Sequence, residues 1–130
     1  MEDSILLSVK KYLGIADEDT GFDMDIIMSI NSVFGILTQL GVGPKEGYSI
    51  SDNTAVWSDY LQNNTLLEMV KTYMYLKVRM IFDTPTSGSM NSAHEQLIQE
   101  LEWRINVMVD PGFEKIDDEA YYREVENLDD

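Results

Sequence analysis

The amino-acid sequence predicts an all-α fold, a compact bundle of about four to five helices with a long central helix and an acidic C-terminal tail. Three observations predict it. Apolar residues return at helical spacing in successive stretches, and one of these, Leu66 to Phe82, is apolar on nearly every side. Breaks rich in glycine and proline separate the stretches: Gly14, Gly41-Val42-Gly43-Pro44, Asp83 to Gly88 and Asp110-Pro111-Gly112. After Pro111 the composition changes to one dominated by carboxylates.

The first helix is expected to run from an N-cap at Asp3 or Ser4 to Leu13, with Gly14 ending it. Ile5, Leu6, Val9, Tyr12 and Leu13 fall on one side. Ile15 to Phe22 is an acidic connection. Asp23 is then expected to cap a second helix whose shared face holds Ile26, Ile27, Ile30, Val33, Phe34, Leu37 and Leu40, closed by Gly41. Val42 to Asp52 reads as a long loop with a short extended piece at Tyr48 to Ile50. Asp52 or Asn53 opens a short helical segment holding Trp57, Tyr60 and Leu61.

Asn63 or Asn64 starts the apolar helix. At roughly 100° per residue, Leu66, Leu67, Val70, Met74, Val78 and Ile81 make one stripe, which Met69, Tyr73, Leu76 and Met80 widen to one side. Glu68, Lys71, Thr72, Tyr75 and Arg79 remain as a polar strip. A helix so apolar is normally enclosed by other helices or by another chain. The last helix begins near Ser89, and Ala93, Leu97, Leu101, Ile105 and Met108 supply its core stripe. Ser92 and Glu95 have the spacing of a capping box, at the start of this helix or inside it.

With 130 residues the chain has room for a single core. Two parts follow from the change at Pro111: a helical domain over residues 1–112 and an acidic tail over 113–130. The tail is expected to be mobile in the isolated chain. Its Tyr121, Val125 and Leu128 stand at i, i+4 and i+7, the spacing of an amphipathic helix formed against a partner.

A net charge of −15 argues against gripping a phosphate backbone through a basic face. It suits a solubilised subunit, a surface for a basic partner, or a repeller of nucleic acid. No apolar run approaches the roughly 18 residues of a membrane span, so no membrane partner is expected. The acidic start MEDSILL lacks the basic flank of a signal peptide. Without cysteine there are no disulfides, thiolate metal sites or cysteine nucleophiles.

Catalytic and cofactor chemistry finds little support. The single histidine, His94, lacks the second histidine that a zinc helix needs four residues on, and it lies on the apolar side of its helix, a structural position. Asp17 to Asp23 has the acidity of a calcium loop. Its glycine stands at the fifth place rather than the sixth, however, and Met28 occupies the place of the bidentate glutamate. Gly41-Val42-Gly43 follows a helix and terminates it, whereas a phosphate cradle would follow a strand. No enzyme, metal or cofactor is expected.

Apolar residues outside the core stripes point instead to assembly. Trp103 lies half a turn from its helix's stripe with Val107 beside it, either packed under a loop or exposed as an anchor for a neighbour. Met24, Met28 and Ile36 occupy the outer side of the second helix. Lys77 projects into the apolar stripe, where it snorkels outward or pairs with a carboxylate.

The order of these elements resembles the tailed-bacteriophage head–tail connector, or head-completion adaptor, proteins. The residues that carry the resemblance begin with Leu6-Leu7, Val9-Lys10 and Tyr12-Leu13-Gly14-Ile15. The acidic loop follows, then the helix opening Asp23, Asp25-Ile26-Ile27. After the Gly41-Val42-Gly43 break come Trp57, Leu61 and the helix from Val70-Lys71-Thr72-Tyr73 to Arg79-Met80-Ile81-Phe82. The resemblance covers roughly residues 4 to 110 and implies a structural virion protein at the head–tail junction, made in the bacterial host cytoplasm. It implies a ring of about twelve copies under the portal protein, joined to a stopper or tail-completion protein. DNA would pass through its channel without sequence-specific binding.

Within that reading Met69, Tyr73, Leu76, Met80, Trp103, Val107, Tyr121, Val125 and Leu128 are the expected subunit or portal contacts. Asp17, Glu18, Asp19, Asp23 and Asp25 are the expected lining of the DNA channel, where carboxylates avoid salt-bridging the phosphates. A different class stays open: an acidic helical inhibitor or DNA mimic that occupies a nucleic-acid-binding protein. Such a protein is expected to be a monomer or dimer, whereas an adaptor forms rings or binds a portal ring.

Overall fold

The computed structural model describes residues 4–82 and 88–109, which form five helices and no strand. In chain order they are α1 (Ile5–Leu13), α2 (Asp23–Gln39), α3 (Trp57–Tyr60), α4 (Asn64–Phe82) and α5 (Gly88–Val109). The turn expected across 83–87, the boundary at residue 112 and the acidic tail lie outside the described residues.

Local chemistry sets most of the boundaries. Ser4 caps α1 by accepting a hydrogen bond from the Leu7 N–H, and Gly14 ends it in the left-handed conformation at φ +80°. Asn63 caps α4, its side-chain oxygen accepting from the Leu66 N–H at 3.1 Å. Two expected caps differ. The residue before α2 is Phe22, which offers no side-chain acceptor, and Asp23 instead turns its carboxylate to Lys10. Asp52 does not open α3; it accepts from the Thr54 N–H and hydroxyl, closing a turn in the long loop. The α3 turn starts at Val56, whose N–H donates to the Asp59 carboxylate. Ser92 and Glu95 lie inside α5.

Helix α4 is the post of the bundle, packing on α1, α2 and α5. Leu66, Val70, Tyr73, Met74, Leu76 and Val78 are buried, while Leu67, Met69, Tyr75, Met80 and Phe82 are half-buried against the core. Ile81, at the end of its expected stripe, is the one large aliphatic side chain of α4 that is mostly exposed. The apolar excess of this helix is therefore met within the chain. Lys77 is half-buried with no ion-pair partner among the described residues, the pattern of a snorkelling side chain.

The long loop folds back on α2 rather than pairing as a strand. Asn31 clasps it through both ends of its amide: the Ile50 N–H donates to Oδ1 at 2.8 Å and Nδ2 donates to the Ile50 carbonyl at 2.9 Å. Phe34 then packs against Tyr48 edge to face and against Trp57 and Tyr60 at a tilt, with centroids 5.0, 6.3 and 4.6 Å away. Gly43 sits at φ +77° with the Tyr60 ring against it, so close that a Cβ there would meet ring carbon at 2.6 Å. Trp57 ties this cluster to α1 by donating its indole N–H to the Ser8 hydroxyl at 3.0 Å.

Helix α5 is attached differently. Its one substantial helix contact is α4. The buried stripe is Ile98, Leu101 and Ile105, while Leu97, Met108 and Ala93, expected on it, are exposed. Leu97 and Ile98 are both apolar, so spacing alone did not choose between them. The Tyr73 hydroxyl, donating to the Glu102 carboxylate at 2.6 Å, fixes the rotation that turns Ile98 inward.

Candidate functional site

The acidic connection is organised around a buried cation. Lys10 is on the inner face of α1, beside Leu6 and Val9, and is completely buried. Its ammonium donates to the backbone carbonyls of Asp17 at 3.1 Å and Asp19 at 2.7 Å, and lies 2.8 Å from the Asp23 carboxylate. Three acceptors thus replace the water that a buried ammonium loses. The loop is held by its main chain, which leaves the Asp17, Glu18 and Asp19 side chains exposed. Asp23 is half-buried in its ion pair, and Asp25 is exposed on the first turn of α2. Asp23 therefore belongs to the fold, unlike the other four residues of the expected channel lining.

The expected contact residues divide in a similar way. Tyr73 and Leu76 are buried, because α5 of the same chain covers the flank of α4 on which they stand. In the isolated chain neither presents appreciable side-chain surface to solvent. Met69 and Met80 are half-buried at the edges of the same flank. Trp103 is 61% exposed on the outer side of α5, with Val107 half-buried one turn on. Of the outer residues of α2, Met24 and Met28 are 77% and 64% exposed, whereas Ile36 packs against the core. Tyr121, Val125 and Leu128 lie outside the described residues.

Titration is displaced at buried tyrosines, by packing rather than by any reactive arrangement. Burial, then the hydrogen bond and charge of Glu102, push the Tyr73 hydroxyl upward. Burial and Tyr48 do the same to Tyr60, whose enclosed hydroxyl oxygen has no hydrogen-bond partner among the described residues. Tyr48 rises through burial and the nearby charge of Asp59. Hydrogen bonds from Thr54 hold Asp52 below the usual carboxylate range. His94 is half-buried on α5, the structural side expected of it. Among the described residues, no three His, Asp or Glu side chains are placed to hold a metal ion, and no helix is long and apolar enough to cross a membrane.

The bundle is built on one central helix and leaves large apolar side chains exposed on α2 and α5. A family model described as phage connector protein matches residues 5–112, all five helices. The chain belongs to the phage connector protein family. No curated protein and no solved structure matches it. The family is a structural one, and its members serve as connectors in the phage particle.

For a connector, the residue that sequence reasoning missed is Lys10. A signal was present, since Lys10 stands four residues after Leu6 and next to Val9, on the apolar side of α1. What spacing did not reveal was the pair of loop carbonyls that make its burial possible.

Proposed function

We propose that this connector is a head–tail adaptor subunit, assembling as a ring of about twelve copies beneath the portal. On its far side the ring joins a stopper or tail-completion protein, and its channel lets DNA pass without sequence-specific binding. The observation that carries this reading is the family match across the whole helical bundle. Ring subunits use heterologous contacts, so each copy needs two different adhesive surfaces. Trp103 and Val107 on α5 supply one candidate, and Met69 and Met80 at the edges of the α4 flank supply another.

The exposed carboxylates of Asp17, Glu18 and Asp19 are proposed to face the channel, where like charge keeps the DNA sliding. Tyr121, Val125 and Leu128 are proposed to dock the tail on a neighbour or on the portal. Connector membership favours this reading over an acidic DNA mimic.

The deciding experiment mixes the protein with its cognate portal ring and follows it by light scattering and negative-stain imaging. A second ring seated on the portal is expected. A protein that stays monomeric or dimeric both alone and with portal overturns the reading.

A further inference from the structure

The N-terminal end of α2 and the C-terminal end of α4 meet in a surface that the bundle does not cover. Phe22 and Phe82 join there edge to face at 5.8 Å. Phe22, Met24, Met28 and Ile81 are each about half exposed or more. Two wide, shallow depressions meet at Met28. One is lined by Phe22, Asp25, Met28, Ser29, Ser32, Ile81 and Phe82. The other runs past Met24 and Ile27 to Asp23 and Asp52.

The polar groups of this surface are already arranged. Ser29 and Ser32, in the first depression, donate their hydroxyls back to the Asp25 and Met28 carbonyls, at 3.1 and 3.0 Å. Asp23 is already paired with Lys10, so the uncompensated charges lining the depressions are Asp25 and Asp52, and no lysine, arginine or histidine lines them. Asp52 is held ionised by Thr54. An apolar floor with a rim of carboxylates calls for an occupant whose apolar side chains are accompanied by cations.

We propose that the surface of Phe22, Met24, Met28, Ile81 and Phe82 seats a segment of a different protein, amphipathic and basic, with lysine or arginine flanking its apolar side chains. Charge selects this occupant over the two nearer ones. The chain's own tail carries eight carboxylates against two cations across residues 113–130. A second copy brings a net charge of −15. Both place like charge against the Asp25 and Asp52 rim. The inference rests on the connector reading only for the origin of the segment, a neighbouring virion protein.

The eight methionines of the chain make the test direct, because a methyl-labelled full chain reports on each surface separately. Met24 and Met28 mark this surface, Met90 and Met108 mark the exposed edge of α5, and Met74 marks the core. The probe is a synthetic helix with one leucine face and one lysine face. Its controls are a shuffled peptide of the same composition and a glutamate counterpart. The amphipathic basic peptide is expected to shift Met24 and Met28 selectively, and the two controls are not.

Met24→Ser with Met28→Ser, read by calorimetric titration because it lacks both reporter methyls, is expected to weaken that binding about tenfold or more, and Asp25→Asn with Asp52→Asn by a smaller factor. An unmoved Met74 methyl shows that the fold is intact. Equal binding of the shuffled peptide, shifts confined to Met90 and Met108, or no binding overturns the proposal. So does a concentration-dependent shift of Met24 and Met28 in the protein alone, which assigns the surface to a second copy. A shift of those methyls caused by Tyr121→Ser, Val125→Ser and Leu128→Ser assigns it to the tail. None of these readouts depends on ring formation, so failure here and failure of the portal experiment are separable.

Discussion

Helices α4 and α5 are of similar length, 19 and 22 residues, and both carry more apolar side chains than one stripe needs. Their surroundings differ. The α4 helix is enclosed by α1, α2 and α5, and all but Ile81 of the residues that made it look too apolar for a small protein are buried or half-buried. The α5 helix leans chiefly on α4, and Met90, Leu97, Trp103 and Met108 remain exposed. Apolar excess in a sequence thus does not by itself locate an adhesive surface. The number of neighbours a helix can reach decides whether the excess becomes core or contact.

This contrast is sharpest at Lys10, on the enclosed side. Replacing it with alanine leaves Asp23 and two loop carbonyls without their donor, and a loss of about 3 kcal/mol is expected in urea denaturation. The figure stays near the low end for buried pairs because Asp23 keeps some access to water. A variant as stable as the parent breaks the claim that α1, the acidic loop and α2 are held as one unit.

Gly43→Ala tests the packing of the long loop on the same side. The left-handed backbone and the Tyr60 ring both oppose a Cβ, and a cost of about 1–3 kcal/mol is expected. Gly35→Ala is its counterpart of opposite sign: nothing crowds that helical position, and a gain of about 1 kcal/mol is expected. Thermal unfolding of the two variants side by side checks both.

Tyr73→Phe probes the seam between the two helices. Losing the hydrogen bond to Glu102 is expected to cost about 1 kcal/mol at neutral pH. The folded state also holds the Tyr73 proton more tightly than the unfolded chain, whose hydroxyl titrates near 10. That contribution is therefore complete below pH 10 and is lost as the pH rises beyond it. Stability measured across this alkaline range is expected to fall less steeply in Tyr73→Phe than in the parent.

The smallest effect on stability belongs to α5. Trp103→Ala is expected to change the unfolding free energy by no more than about 0.5 kcal/mol, because the side chain is mostly exposed. The same substitution is expected to impair ring formation on the portal. A large loss of stability instead reassigns Trp103 to the fold.

Much of the fold was legible in the sequence where the signal is local. Ser4, Gly14 and Asn63 announce helix ends through groups they supply themselves. The α2 face was legible because Ile26, Ile30, Val33, Phe34 and Leu37 repeat without competitors. The failures arise where a distant partner decides. Asp23 reads as a cap until Lys10 claims it, and Leu97 competes with Ile98 until Tyr73 fixes the turn of α5. The exposed methionines of α2 were visible as off-face residues. Their companionship with Ile81 and Phe82 was not, since it depends on how α2 and α4 cross.

The grip on Lys10 has a consequence for how the acidic loop can change. Positions 17 and 19 contribute carbonyl oxygens, which every amino acid possesses, and the one side-chain bond among them is an exposed one, from the Gly21 N–H to the Asp19 carboxylate. Selection, or an engineer, is thereby free to rewrite the charge and shape of that loop to match new surroundings. The grip itself would register a change at Asp23 or at the lysine.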